Sequence, residues 1–392
     1  MAITLVSEAT TGNSGNGDSY TTSPGGRAIS ADGRYVVYYS YASDLVDGDT
    51  NGTSDIFLHD NVTGATTLIS NDASGDPSNS FSSHPSISTD GRYVVYHSLA
   101  SDLVAGDTNG KTDIFVYDTV AQTTSLISKD ASGGPSNGSN SAPSISADGR
   151  YVAWNGTASD LVTDDTNGYG DIFLHDTATG TTSLISKDAS GGPSNGASVS
   201  PSISANGRYV AYYSYASDLV AGDTNGFSDV FLYDAVSQTT ILVSKNALGG
   251  PSDSISDAPS ISADGRYVAF RSYASDLVAG DTNARTDIFL YDTVNKTTTL
   301  ISNDASGNPS NDNSFTPSIS ADGRYVVWLS DATNLTSNDT NSRRDVFVYD
   351  TLTSVTELVT IDSGGGGVNG DSFSTSISGD GSTIFFRSDA SD

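Results

Sequence analysis

The chain has no cysteine and little positive charge. Seventeen Lys and Arg stand against 47 Asp and Glu in 392 residues, a formal net charge of −30. Without cysteine there are no disulfide staples, no thiolate nucleophile and no sulfur-ligated metal. The shortage of Lys and Arg argues against nucleic acid as a partner, because phosphate neutralisation needs those side chains, and against anionic membrane surfaces. No apolar run approaches the ~20 residues of a membrane span. No segment sustains a 3.6-residue apolar period, so almost no helix is expected.

The N-terminal stretch MAITLVSEATTG lacks the basic and long apolar regions of a signal peptide. Two locations fit: the cytoplasm, or export as part of a longer chain. An acidic protein without cysteine suits the second, so an extracellular or periplasmic bacterial location is expected, with the cytoplasm left open. The four histidines fall at His59, His84, His97 and His175. They do not gather in sequence, and a transition-metal site needs convergence. Neither a nucleophile elbow nor a phosphate-binding Gly loop followed by a helix is present, and no Ser/His/Asp set has plausible neighbours. The reading is therefore non-enzymatic.

What the chain does have is a repeat. The phrase S-x-D/N-G-R-Y-V recurs with its third residue at Asp32, Asp90, Asp148, Asn206, Asp264 and Asp322, 58 residues apart in each case (Asp32 to Asp90), and a weaker copy follows at Asp380. Repeats of this length indicate a propeller or a solenoid. Each unit reads as four short strands rich in Val, Ile, Tyr, Phe and Thr, bounded by Gly/Asn/Asp/Ser clusters. PSIS is the first strand, RYVVYYS the second, DIFLHD the third and TTLIS the fourth. The expected fold is all-β, a propeller of four-stranded antiparallel blades forming one domain over residues 1–392. Units begin near residues 30, 88, 146, 204, 262 and 320, with a partial unit at 378–392. ITLVS (Ile3 to Ser7) matches a fourth strand and precedes the first unit, so it is expected to close the ring in a composite last blade. Seven blade positions are favoured, six complete and one composite; six is the alternative.

PSISADGRYVAF (259–270), ASDLVAGDTN (274–283) and DIFLYD (287–292) together resemble the WD40-like, or PD40, repeat of TolB-type propellers, and the likeness covers nearly the whole chain. It implies the propeller fold. It does not choose a function, since such propellers serve as partner-binding domains, as accessory domains of peptidases and as lyases.

The loop before each third strand is acidic. In unit one Asp47, Asp49, Asn51, Gly52 and Asp55 spell D-x-D-x-N-G-x-x-D, the spacing of EF-hand-like calcium loops and locally similar to the blade loops of integrin α subunits. The candidate ligands continue as Asp107, Asn109 and Asp113; Asp165, Asn167 and Asp171; Asp223, Asn225 and Asp229; and Asp281, Asn283 and Asp287. Outside unit one the first ligand position is Ala105, Thr163, Ala221, Ala279 or Ser337, and Asp44, Asp102, Asp160, Asp218 and Asp276 are possible substitutes upstream. In unit six Arg343 and Arg344 would repel a cation. Several structural Ca²⁺ ions are expected in units one to five, standing in for disulfides. Asx-turns give the same residues an ordinary role as loop formers.

One second-strand position is always aromatic (Tyr38, Tyr96, Trp154, Tyr212, Phe270, Trp328) and reads as core. Its neighbour varies, and so does the residue two further on. From these positions Tyr39, Tyr41, His97, Asn155, Tyr213, Tyr215, Arg271 and Tyr273 form a possible ligand surface beside the acidic loops. His59 and His175 read as packing residues of the third strand, His84 as part of a linker. The arginine after each hairpin glycine reads as structural. The expected function is that of a calcium-binding scaffold: a protein-binding or display module, with a calcium-dependent carbohydrate-binding propeller or an accessory domain of a larger secreted hydrolase or lyase as alternatives. The partner is a protein or glycan at the acidic-loop face, and the chain is expected to be monomeric.

Overall fold

The structure, a computed structural model, describes residues 4–22 and 25–391. Strand-forming runs of Val, Ile, Tyr and Phe alternate with Gly/Asp/Asn turns, and the described chain is all-β. The first blade comprises β1 (Ser19–Tyr20), β2 (Tyr35–Ser40), β3 (Asp55–Asp60) and β4 (Ala65–Leu68), hydrogen-bonded in that order. Five further four-stranded antiparallel sheets repeat the plan: β5–β8 within 82–126, β9–β12 within 140–184, β13–β16 within 198–242, β17–β20 within 256–300 and β21–β24 within 314–358. The molecule is thus a propeller with six four-stranded blades.

The favoured seventh blade is not completed among the described residues. In its position β25 (Ser372–Ile377) and β26 (Ile384–Ser388) pair as a two-stranded sheet. Ile3 lies outside the described residues, and Thr4–Ser7 is not a strand. The reason is local. In a complete blade the fourth strand needs the third to pair with, and none of the described residues supplies a third strand beside β26.

The ring nonetheless meets itself. Backbone bonds pass from each hairpin to the next, from Ala31 N to Thr89 O, onward through Ala147, Ala205, Ala263 and Ala321 to Gly379, and Asp380 N returns to Ala31 O at 3.0 Å. Ala28 N also donates to Ser376 Oγ at 3.2 Å.

The core lies between blades. The aromatic at the Tyr38 position stacks on the Phe of the third strand at 5.8–6.1 Å in all six complete blades. Both rings are fully buried in each blade. The hairpin arginines are structural, as expected: Arg34, Arg92, Arg150, Arg208, Arg266 and Arg324 pair with the closing Asp of the third strand at 2.8–2.9 Å. Each lies 4.7–4.9 Å over the following tyrosine ring.

The innermost strand is longer than the PSIS run and carries a bulge. It is Ser82–Ile87 in β5, with a register shift between Ser83 and Ser86. His84 therefore belongs to a strand rather than a linker, with a left-handed φ of 53° shared by Ala142, Ser200, Ala258, Thr316 and Ser374 at 41–51°. The linkers between blades are tied down by side-chain bonds. Asp130 Oδ1 accepts the amides of Ser132 and Gly134, and the Asn137 amide donates to Asp160.

Candidate functional site

Two features converge on the face that carries the long loops: the acidic loops around the rim and a ring of variable side chains around the channel.

In each acidic loop the Asn makes the turn. Asn51 Oδ1 accepts the Thr53 amide, and the same bond recurs at Asn109, Asn167, Asn225, Asn283 and Asn341. Its amide nitrogen donates to Asp55 Oδ2 and Ser78 O in blade one, which knits the loop to the linker. The equivalents at Asn109, Asn167, Asn225 and Asn283 reach their Asp at 2.6–2.8 Å. The left-handed turn at Gly52 persists where the glycine is lost, at Ala284 (φ 53°) and Ser342 (φ 55°).

Two carboxylates per loop are taken out of water. Asp55, Asp113, Asp171, Asp229, Asp287 and Asp345 are fully buried, and Asp49, Asp107, Asp165, Asp223, Asp281 and Asp339 nearly so. The first set is held by a Ser or Thr hydroxyl, as Ser70 Oγ to Asp55 Oδ1 at 2.7 Å. In the second set Asp165, Asp223, Asp281 and Asp339 each keep a buried Oδ1 with no hydrogen-bond partner. Burial first, and the neighbouring carboxylate as well, push one member of each pair up to about 6: Asp55, Asp113, Asp171 and Asp345 in blades one, two, three and six, Asp223 and Asp281 in blades four and five.

The rest of the predicted ligand set is not assembled. Asp47 is exposed. The substitutes at Asp44, Asp102, Asp160, Asp218 and Asp276 accept linker amides. Asp276 is still close enough to Asp229 to raise its pKa. No group of three or more His, Cys, Asp or Glu side chains converges among the described residues. In blade six Arg344 turns aside to pair with Asp331 at 2.8 Å.

The second feature is a set of cross-strand pairs between the innermost and second strands, chemically matched within each blade. Tyr20 stacks on Tyr39 at 5.2 Å. Ser83 bonds His97 at 2.7 Å, Ser141 bonds Asn155 at 2.9 Å, and Asp257 holds Arg271 through two bonds of 2.6 and 2.7 Å. Phe315 faces Leu329, and Arg387 lies over Phe373 at 5.1 Å. The variable second-strand positions thus point to the channel, while Tyr41, Tyr215 and Tyr273 stand about half exposed on the rim.

The histidines partly gather after all. The rings of His84 and His97 stack at 4.9 Å, and Tyr39 stacks on His84 at 5.4 Å. Burial holds His97 down to about 3 and lowers His84, so the pair is neutral. His59 and His175 are third-strand residues, bonded to Thr66 and Thr182. A cavity of about 410 Å³ opens at the channel, lined by Tyr20, Tyr39, His84, Arg271, Arg344 and Arg387 among others.

Blade one carries a feature that the repeat pattern hides. The stretch from Asn16 to Asp44, which holds β1 and β2, spans 28 residues, against 23 from Asn79 to Asp102, which holds β5 and β6. The added length lies between β1 and β2, where Gly25 reaches across the channel: its O accepts Ser144 Oγ of blade three at 3.0 Å, and it abuts Pro201 of blade four. Aligning unit one on unit two would have exposed this insertion.

No protein-family model matches the chain, and no curated protein does. Solved structures are similar. An oligogalacturonate lyase in complex with manganese aligns over 97% of this chain and 91% of its own, with 12% identity and a TM-score of 0.57. The oligogalacturonate lyase of Vibrio parahaemolyticus aligns over 95% and 87%, with 14% identity and a TM-score of 0.56. The chain has the β-propeller fold. TolB from Acinetobacter baumannii is also among the similar structures, over 77% of this propeller and 58% of that chain, at 16% identity and a TM-score of 0.45. The propeller thus spans under two thirds of that TolB. At these identities the likeness carries the fold and no activity.

Proposed function

We propose that this chain is a non-enzymatic β-propeller binding module whose blades are stapled by weakly held Ca²⁺ at the acidic loops, working in an extracellular or periplasmic setting. The observation that carries the reading is the pair of buried carboxylates in each loop, with an unpartnered Oδ1 at Asp165, Asp223, Asp281 and Asp339. A buried anion without a partner is costly, and a divalent cation offsets both the desolvation and the mutual repulsion. In blade three Asp165 and Asp171 would hold the ion, with water and backbone carbonyl oxygen completing the shell. Two carboxylates are few for Ca²⁺, which takes six to eight oxygens, so the affinity expected is that of weak extracellular sites, about 10⁻⁴ to 10⁻³ M.

The test is thermal melting in 1 mM Ca²⁺, 1 mM Mg²⁺ and EGTA. Each site of that affinity adds about 0.4–1.4 kcal/mol at 1 mM ligand, so Ca²⁺ should raise the Tm by several degrees over EGTA. The rise should shrink in Asp165→Asn and Asp223→Asn. Identical curves in all three buffers would leave these residues as turn formers alone.

A second reading concerns the partner. The channel cavity combines aromatic faces at Tyr20 and Tyr39 with the Asp257–Arg271 and Asp331–Arg344 pairs. Flat apolar faces beside paired donors and acceptors suit a glycan better than an apolar peptide. Glycan-array binding that is lost in Tyr39→Ala and Arg271→Ala would favour a carbohydrate over a protein partner. An accessory role beside a hydrolase or lyase domain is compatible with either partner.

A further inference from the structure

The channel cavity is charged against the rest of the chain. In a protein of net charge −30, Arg271, Arg344 and Arg387 line it, and no described Asp or Glu does. First and second strands form most of its wall, and both are present in all seven blade positions. At the strand position where Pro317 lines the cavity, blade one carries Arg27, whose buried Nη1 has no partner.

What faces the cavity is a set of unused hydrogen-bond donors. Arg271 gives Nε and Nη2 to Asp257, and Arg344 gives the same two to Asp331, so each guanidinium is fixed with its Nη1 edge left over. Arg344 also lies 4.4 Å over the Phe315 ring. Thr22, Thr316 and Thr375 line the cavity, and each keeps a buried hydroxyl with no partner. Thr375 is only 9% exposed. Ser260 and Ser318 accept the amides of Ile319 and Ile377 and donate to no described residue. A buried hydroxyl without a bond destabilises the fold unless something in the cavity satisfies it.

The stacked histidines add one more donor through their tautomers. Ala142 N donates to His97 Nδ1 at 3.3 Å, which places the proton of that neutral ring on Nε2. Nε2 then donates to Ser83 Oγ at 2.7 Å, and Ser83 donates to His84 Nδ1 at 3.1 Å. The relay satisfies every group when His84 carries its proton on Nε2, as a donor. His84 lines the cavity.

We propose that the channel cavity holds a tetrahedral oxyanion, the phosphate or sulfate group of a small ligand, bound by the Nη1 edges of Arg271 and Arg344, by His84 Nε2 and by the hydroxyls of Thr316 and Thr375. A fully ionised oxyanion accepts from all of these and asks for no acceptor in return, which suits a wall without carboxylates. Each Nη1 edge presents a pair of N–H groups, so the donors outnumber the roughly four acceptor sites of a carboxylate, and a group with more oxygens matches them better. The assignment rests on the reading of the channel as the ligand site and is independent of calcium.

The test is calorimetric titration of the whole chain with inorganic phosphate, sulfate, acetate and chloride, in EGTA and at constant ionic strength. Saturable binding is expected from phosphate, sulfate or both, and the tighter of the two names the group. Acetate should bind at least about tenfold more weakly, and chloride should give no saturable heat. Arg344→Gln and Thr375→Val should each weaken binding at least about tenfold. Thr375→Val swaps a hydroxyl for a methyl of similar shape, so it reports even if loss of the Arg344 pair unfolds the chain. His84→Leu should weaken binding and His84→Gln, which keeps an N–H donor, should restore most of it, a split that a packing role would not give. Acetate bound as tightly as phosphate and sulfate, equal heats from all four salts, or binding unchanged in Thr375→Val and His84→Leu would each overturn the assignment. The glycan reading fails differently: blank glycan arrays with phosphate or sulfate still bound remove the sugar alone, whereas neutral glycans bound at Tyr39 with every anion refused remove the oxyanion site alone.

Discussion

The junction between blades five and six and the one between blade six and the seventh position are built on nearly the same residues and pack very differently. Both present three matched aliphatic residues from the earlier blade, Ile288, Leu290 and Ile301 in the first and Val346, Val348 and Val359 in the second. In the first, Ile319, Val326, Trp328, Phe347, Tyr349 and Leu358 answer from the later blade and are all buried. In the second, Ile384 and Phe386 are the described residues of the two-stranded sheet that join the cluster, both partly buried. The packing unit is therefore not the blade but two facing sheets, and the third strand seals the pair because it brings the Phe that stacks on the second-strand aromatic. The six complete positions also carry the buried carboxylate pair, which the described residues of the seventh lack.

The largest expected effect breaks the comparison by protonating all six pairs together. A carboxyl whose pKa is raised on folding favours the folded state when protonated. Its contribution is fully present below the unfolded value near 3.8 and lost as pH climbs through about 6. In EGTA, stability should therefore rise as pH falls from 7 to about 4. Each tenfold gain in a carboxyl's proton affinity on folding is worth about 1.4 kcal/mol. Millimolar Ca²⁺ should flatten the curve, because the cation replaces the proton. Below about pH 4 the sign reverses. The carboxyls of Asp176 and Asp234, held down to about 2 by Arg150 and Arg208, then gain protons and lose their partners. Urea midpoints across this range check both limbs, and a flat curve in EGTA would remove the buried-pair reading.

The next effect sharpens the packing contrast. Phe289→Ala empties a fully buried position and should cost about 3–5 kcal/mol. Phe386→Ala in half-buried β26 should cost about 1 kcal/mol. Urea unfolding of the two variants measures the gap. Equal losses would mean that the seventh position is as well packed as the rest.

Much of this was legible because the same solution recurs. Period-two runs and Asp-Gly turns marked the strands, and the 58-residue spacing marked the blades. The invariant aromatic pointed to the core, and the hairpin arginine to a local ion pair. What escaped depends on juxtapositions that no single repeat encodes. The bulge at His84 comes from a register shift between neighbouring strands, and it carries the ring to His97. The Asn of the acidic loop looks like a cation ligand by spacing. Yet its oxygen closes the turn and its nitrogen binds Asp55, which leaves two carboxylates where four ligands were expected. The composite blade stays incomplete among the described residues for a similar reason: ITLVS has the pattern of a fourth strand, but pattern alone supplies no neighbour to pair with.

The smallest effect compares the closing junction with an ordinary one at a single methyl group. Gly91, Gly33 and Gly64 share a left-handed φ of 72–75°. An alanine at any of them meets the same backbone strain, about 1 kcal/mol. They differ in what the new Cβ would touch. At Gly64 there is open space. At Gly91 it would lie 2.2 Å from Cδ2 of the Tyr35 ring in the preceding blade, a rigid obstacle clamped by Arg34. At Gly33 the obstacle is the hydroxyl of Thr383, at 2.5 Å, beside the two-stranded sheet. Gly91→Ala should therefore cost about 2–4 kcal/mol, since overpacking adds to the strain, and Gly64→Ala about 1 kcal/mol. Gly33→Ala should fall between them, because a threonine hydroxyl can rotate away where a clamped ring cannot. If urea midpoints place Gly33→Ala level with Gly91→Ala, the closing junction is as unyielding as the others, and its looseness is confined to the outer part of the two-stranded sheet.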